Sequence, residues 1–489
     1  MFNALRTVRA ETVVGFFLFA LLGVLGVWQP LFAFCSLIGL AALIFLAYLL
    51  VRRSPPQLWQ ILVLIALSGY MVLNYGFANL TFHIAGVPII LGHTLMFTGL
   101  ALVLVSGEIS ITRELREPAV LAMFALVLLS LIHLASDVPR FGFMAVRDSS
   151  LFVEGVFLLL GLAWARTGRA SIMLIKWLFW LFCANLVYCL SLPWRELIRS
   201  SSPKSGIFQV VPVFGYYSDG YVYLMTGALF CLLCARHAVK CPRWLLNFLV
   251  VLQVFALAIH QARSMYVAIP LVFVLLILLG EVRQAAKIGL AVGGALLVVA
   301  LLAFQPSLRL EGRLGPVTPE FLEEHVSSLA LTRGTAGEGT IEDREKWASD
   351  VWDRVTSSRS NLLVGEGFGK PLIDFEGPEG VEVRQPHNTH LSVLARLGLI
   401  GILLWTLFHL SIVARFFRGL RARGPSDETA SSLVLWLFIF YVTAMVVTSV
   451  QPLLEFSYGA IPFYFLMGFA LGVMRQELHG RVCPERQRD

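Results

Sequence analysis

Between Val13 and Leu50 the chain carries no charged side chain, and the same holds for Ile61 to Tyr75, Leu245 to Ile259, Ile288 to Phe304 and Leu433 to Val450. Runs of this length cross most or all of a hydrocarbon core of about 30 Å as helices. In lipid, every backbone N–H and C=O must be bonded internally, which leaves helices or a closed barrel. The runs lack the two-residue alternation of barrel strands, so the sequence predicts helices. Composition agrees: 57% of the 489 residues are hydrophobic, only 14% are charged, and the mean hydropathy is +0.77. That is too little polar surface to coat a water-soluble globule of this size. The expectation is an all-α polytopic membrane protein.

The formal net charge of +7 is topological in origin and points to no nucleic acid. Basic clusters recur at every second span boundary, at Arg6/Arg9, Arg52/Arg53, Arg113/Arg116, Arg166/Arg169, Arg236/Lys240/Arg243, Arg283/Lys287, Arg415 to Arg423 and the tail from Arg475 to Arg488. Threaded by the positive-inside rule, they put both termini on the cytoplasmic side and give twelve to fourteen spans. The uncertainty lies in Val13 to Leu50 and Phe82 to Val105, which are hard to divide. The Arg6/Arg9 run followed by apolar residues has no small-residue cleavage site and reads as an uncleaved first span. The seven cysteines fall within spans or on the cytoplasmic side, so no disulfide framework is expected, and Cys231/Cys234 read as packing residues.

This threading divides the chain into spans over residues 1–304, a large outer loop over 305–387, three C-terminal spans over 388–475 and a tail over 476–489. The loop changes composition abruptly, with acids such as Glu342, Asp343, Glu345 and Asp350 interleaved with Arg313, Arg333, Arg344 and Arg354. A loop that long is usually functional. Pro319 to Leu331 and Ile341 to Ser357 read as amphipathic helices within it, the second with Thr340 as N-cap. Pro386 suits the first turn of the next helix, which would hold His387 at the water interface. A histidine there titrates near neutral pH and suits a general base; it suits an interfacial anchor equally well. Gly398 and Gly401 share a helix face and would admit a close neighbour. Arg263, at the end of an apolar span, should snorkel or pair with an anion.

His387-Asn388, nine residues, then Gly398-x-x-Gly401 resembles the signature of the O-antigen ligase and O-antigen polymerase superfamily of bacterial membrane glycosyltransferases. Further features match in order: Arg263 at the outer end of a mid-chain span, Arg344-Glu345-Lys346-Trp347 in the outer loop, and Gly365-Glu366-Gly367-Phe368-Gly369. The resemblance covers about the C-terminal half. Ala262-Arg263-Ser264 stands where the family often has Ser-Arg-Gly.

The resemblance implies a GT-C-like fold with the large loop in the periplasm of a bacterial inner membrane. It implies an inverting transfer from a polyprenyl-diphosphate-linked saccharide to lipid A-core or another glycan acceptor. Arg263 and Arg344 would hold the diphosphate, whose oxygens suit the guanidinium fork, and His387 would take the acceptor proton. Asn388, Glu366, Arg147 and Arg199 are supporting candidates. No cofactor or metal is expected, since the sequence has no HExxH, DxD flanked by strand-like segments, or P-loop. Membrane lipid is the remaining partner. O-antigen or exopolysaccharide polymerisation, protein glycosylation and lipid or polysaccharide transport stay open.

Overall fold

The computed structural model describes residues 57–84, 87–206, 210–217, 219–303, 312–313, 315–316, 318–320, 338–373, 375–376, 382–421 and 428–478. The apolar run Val13 to Leu50, the predicted helix beyond Glu320 and the tail beyond 478 lie outside them. Among the described residues eight helices are long and apolar enough to cross a membrane, and four more are apolar but shorter. The chain is thus an all-α multi-pass membrane protein.

In chain order the helices are α1 (Leu58–Leu73), α2 (Leu91–Val105), α3 (Pro118–Phe141), α4 (Phe143–Asp148), α5 (Ser150–Ala165), α6 (Gly168–Leu190) and α7 (Gly220–Ala238). There follow α8 (Arg243–His260), α9 (Arg263–Leu278), α10 (Val282–Ala303), α11 (Glu338–Thr356), α12 (Arg359–Val364), α13 (Thr389–Arg421), α14 (Glu428–Thr448) and α15 (Ser457–Leu478). Three small antiparallel hairpins cap the connections, pairing Thr81 with Ile90, Lys204 with Pro212 and Phe375 with Val383.

α15 is the central post. It lies so close along α5 that side chains at Gly161 and Gly468 would strike the partner's backbone, the close approach that small residues permit in lipid. Trp164, Trp405, Trp436, Phe408 and Tyr464 are fully buried in the bundle. Leu121, Leu128 and Ile132 on α3 and Leu290, Leu297 and Leu301 on α10 face outward, as surfaces wetted by acyl chains should.

One end of the bundle is tied by charge. Glu114 accepts from Arg166 and from Arg475 (2.7 Å); Glu117 accepts from Arg415 (2.8 Å) and Arg475 (3.5 Å). Three of the basic clusters that the charge pattern assigns to one face therefore meet at two buried acids. Arg475 lies about 27 Å along α15 from Ser457, at 1.5 Å per residue, so the opposite end stands close to one hydrocarbon thickness away.

Glu114→Ala should strip two arginines of their shared partner. A loss near the low end of the ~3–5 kcal/mol for breaking a buried pair is expected, because both arginines keep some solvent contact. Thermal unfolding in lipid nanodiscs checks this against exposed Glu196→Ala, which should stay within about 0.5 kcal/mol of wild type.

Candidate functional site

The loop between α10 and α13 is fastened to the bundle by its glycine-rich segment. The α13 helix is broken at Gly398 (φ 61°), which leaves the carbonyls of the preceding turn without helical donors. The strap 365–369 fills them: the Glu366 N–H donates to the Ala395 carbonyl (3.0 Å) and the Gly367 N–H to that of Arg396 (3.1 Å). Gly365, Gly367 and Gly369 all have positive φ, and a side chain on Gly398 would collide with the backbone of Leu363 and Gly365. Gly398 therefore admits the C-terminal end of α12, the close helix neighbour that the sequence pattern suggests, together with the start of the strap.

Buried acids complete the joint. The Phe368 N–H donates to Asp137 (2.8 Å), while Asp148 accepts from Gly369 N–H (3.2 Å), Arg384 (3.2 Å) and Arg396 (2.9 Å). Arg396 and Arg384 also donate to the Gly367 and Gly369 carbonyls (3.1 and 2.7 Å).

α11 then carries the Arg-x-x-Trp side chains of the loop. Trp347, Val351 and Val355, at helical spacing, pack on Leu372, Ile373 and Ala395 in a small core of their own. The helix starts at Glu338, so Thr340 lies inside it and is no cap. Arg344 sits one turn before Trp347, half-buried, and donates to the Val450 carbonyl (3.2 Å). Trp347 meets the His387 ring edge-on at 5.2 Å. The Arg-x-x-Trp spacing thus puts an anchor and a cation on one face.

His387 does not open a helix. Its φ is 51°, and Asn388 caps α13 by accepting from the His390 and Leu391 N–H groups (3.0 and 3.2 Å). The Pro386 signal misplaces the start by these two residues. The left-handed turn holds the imidazole half-buried against Trp347, within the field of Arg344. Burial, and then the Arg344 charge, push its pKa down to about 4. Arg344 in turn feels Arg263, whose positive charge, after burial, lowers it further, while Tyr221 opposes this. Arg263, Arg344 and His387, spread over 125 residues, therefore share one electrostatic site.

Other residues join them that the sequence did not single out for a role. Asp219 is buried; burial raises its pKa, against the hydroxyls of Tyr458 and Tyr221 that bond it and the charge of Arg313. Tyr221 also bonds Ser264, beside Arg263. The α14–α15 connection offers the Val450 carbonyl to Arg344, and the first turn of α15 offers Tyr458 to Asp219. Glu455, from the same connection, accepts from Ser392 on α13 (3.0 Å) and is pushed up to about 7 by burial.

The supporting candidates scatter. Glu366 faces Arg354 at 3.9 Å, Arg147 reaches only the Met144 sulfur (3.9 Å), and Arg199 lies over the Tyr216 ring at 5.2 Å. Asn388 is a helix cap. No protein-family model and no curated protein matches the chain.

A neutral buried histidine carries a pH consequence. Below its ordinary value of about 6.5 the unfolded chain takes up a proton that folded His387 refuses until about pH 4, so acidification through that window destabilises the fold. Arg344→Ala should raise the His387 pKa toward 6.5. NMR titration of ring-labelled histidine, assigned by His387→Gln, reads the shift; an unmoved resonance would separate the two residues.

Proposed function

We propose that the chain is a membrane glycosyltransferase that moves a saccharide from a polyprenyl-diphosphate carrier to an acceptor hydroxyl at the periplasmic face of a bacterial inner membrane, with lipid A-core the favoured acceptor. The observation that carries this reading is the meeting of Arg263, Arg344 and His387 at the end of the bundle opposite the Glu114/Glu117 cluster. Two arginines held close in a half-buried site repel each other, and an anion with several oxygens relieves that repulsion. Arg313, close enough to act on Asp219 and Tyr221, adds a third guanidinium to the neighbourhood.

The chemistry needs no nucleotide. The acceptor oxygen attacks the anomeric carbon from the face opposite the carrier, the bond to the diphosphate breaks, and the departing oxygen takes the electron pair. Arg263 and Arg344 balance the charge that develops on it, commonly the largest catalytic contribution. His387, neutral at physiological pH, accepts the hydroxyl proton. Alone its imidazole is a weak base, since burial, and after it the Arg344 charge, holds its pKa low. A bound diphosphate offsets that charge, so the imidazole becomes more basic when the donor is in place. Base strength is then tied to occupancy. The GT-C-like architecture and the periplasmic placement of the loop belong to the same proposal.

Purified protein, polyprenyl-diphosphate oligosaccharide and lipid A-core should yield glycosylated lipid A-core. His387→Ala should lower turnover by roughly 10²-fold or more, and Arg344→Lys should be nearly as poor because a point charge cannot replace the fork. Lengthened carrier-linked chains without acceptor would make the enzyme a polymerase. Near-normal turnover in His387→Ala would remove the base assignment, and no product from any donor would remove the transferase reading.

A further inference from the structure

A chain of aromatic rings runs outward from this site. Tyr458, bonded to Asp219, stacks on Phe456 with ring centres 5.4 Å apart and planes 8° from parallel. Tyr75 meets Tyr458 at 6.4 Å and Phe456 at 6.0 Å, then meets Tyr216 edge-on at 5.0 Å. Arg199 closes the series over Tyr216 at 5.2 Å. The inner end is sealed, with Tyr458 buried, whereas Tyr75, Tyr216, Phe456 and Arg199 are all partly exposed.

These rings sit on connections between spans. Tyr216 is held rigidly: the Tyr188 hydroxyl donates to its carbonyl (3.2 Å) and accepts from the Gly215 N–H (2.9 Å). Gly215, at φ 92°, lies tight against the Arg199 backbone, which fixes that arginine to the same loop.

We propose that Tyr75, Tyr216 and Phe456, with Arg199, form a saccharide-binding track along which the sugar chain next to the diphosphate is laid. The inference rests on the transferase reading and adds where its sugar goes. Pyranose rings present one face of polarised C–H groups and a rim of hydroxyls. An aromatic ring, negative on its face, complements the C–H side, and a guanidinium donates to the rim. A row of rings that ends on a guanidinium suits that mixed surface; an acyl chain or polyprenyl tail has no use for Arg199. The track also begins where a sugar must begin, since Tyr458 is joined through Asp219 and Tyr221 to the neighbourhood of Arg344.

The test uses the full chain in nanodiscs and two probes: a water-soluble oligosaccharide released by mild acid from bacterial polyprenyl-linked glycan, and sugar-free undecaprenyl diphosphate. Saturation-transfer NMR should detect the oligosaccharide on wild type. Tyr216→Leu should weaken it roughly tenfold or more, while Tyr216→Phe, which keeps the ring, stays close to wild type. Undecaprenyl diphosphate should bind Tyr216→Leu as it binds wild type, which also shows that the variant is folded. Unchanged oligosaccharide binding in both Tyr216→Leu and Tyr75→Leu overturns the track. So does a wild type that holds the diphosphate but no sugar, or a Tyr216→Leu that alters only phospholipid binding. Failure of wild type to bind either probe overturns the transferase reading itself.

Discussion

A single carboxylate oxygen on Asp148 receives two guanidiniums and a backbone N–H, and the placement of the loop on the bundle hangs from it. One guanidinium belongs to α13, the other to the segment that leads into His387, and the N–H to the glycine strap. Without Asp148, Arg384 and Arg396, each less than a tenth exposed, would face each other's like charge with the carboxylate they share removed. The acid therefore fixes in one place the three pieces of chain that carry the site. Its neighbour Asp137 does the same for Phe368. Both acids stand at the outer margin of α3 and α4, where a charge buried without a partner would be most costly.

Fastening the loop in this way has an electrostatic result. Arg344 is drawn to the bundle by the α11 core and by the Val450 carbonyl, so it cannot retreat to water from Arg263 or His387. The cluster is a stressed one: two cations and a depressed histidine, with Asp219 nearby and itself already bonded by two tyrosines. Perturbed groups gathered in this way are commoner at functional sites than elsewhere on a protein.

The fold was largely legible because lipid leaves one answer for long uncharged runs, and charge asymmetry then orders their ends. Arg344 and Trp347 were legible together, since a spacing of three marks one helix face. The glycine strap and Gly398 were visible as residues, but their partnership was not: a helix break and the loop that fills it leave no shared local pattern. His387 was read into the first turn of the next helix and lies before it, because proline before a helix is a good signal and a left-handed residue between proline and cap has none. Asp219 sits just before an uncharged run, where nothing local marks it, and its side chain caps nothing in α7. Asp219, Tyr221, Tyr458 and Arg313 meet only through tertiary packing.

The Asp148–Arg396 bond spans 248 residues, and this sets a clock on biogenesis. At about 5–20 residues per second of synthesis, Arg396 leaves the ribosome roughly 12 to 50 s after Asp148. During that interval α3 and α4 can enter the bilayer with their acids still waiting for cations. The nascent protein thus passes through a stage in which Asp137 and Asp148 are in place and unlatched. The latch closes only when the last third of the chain arrives.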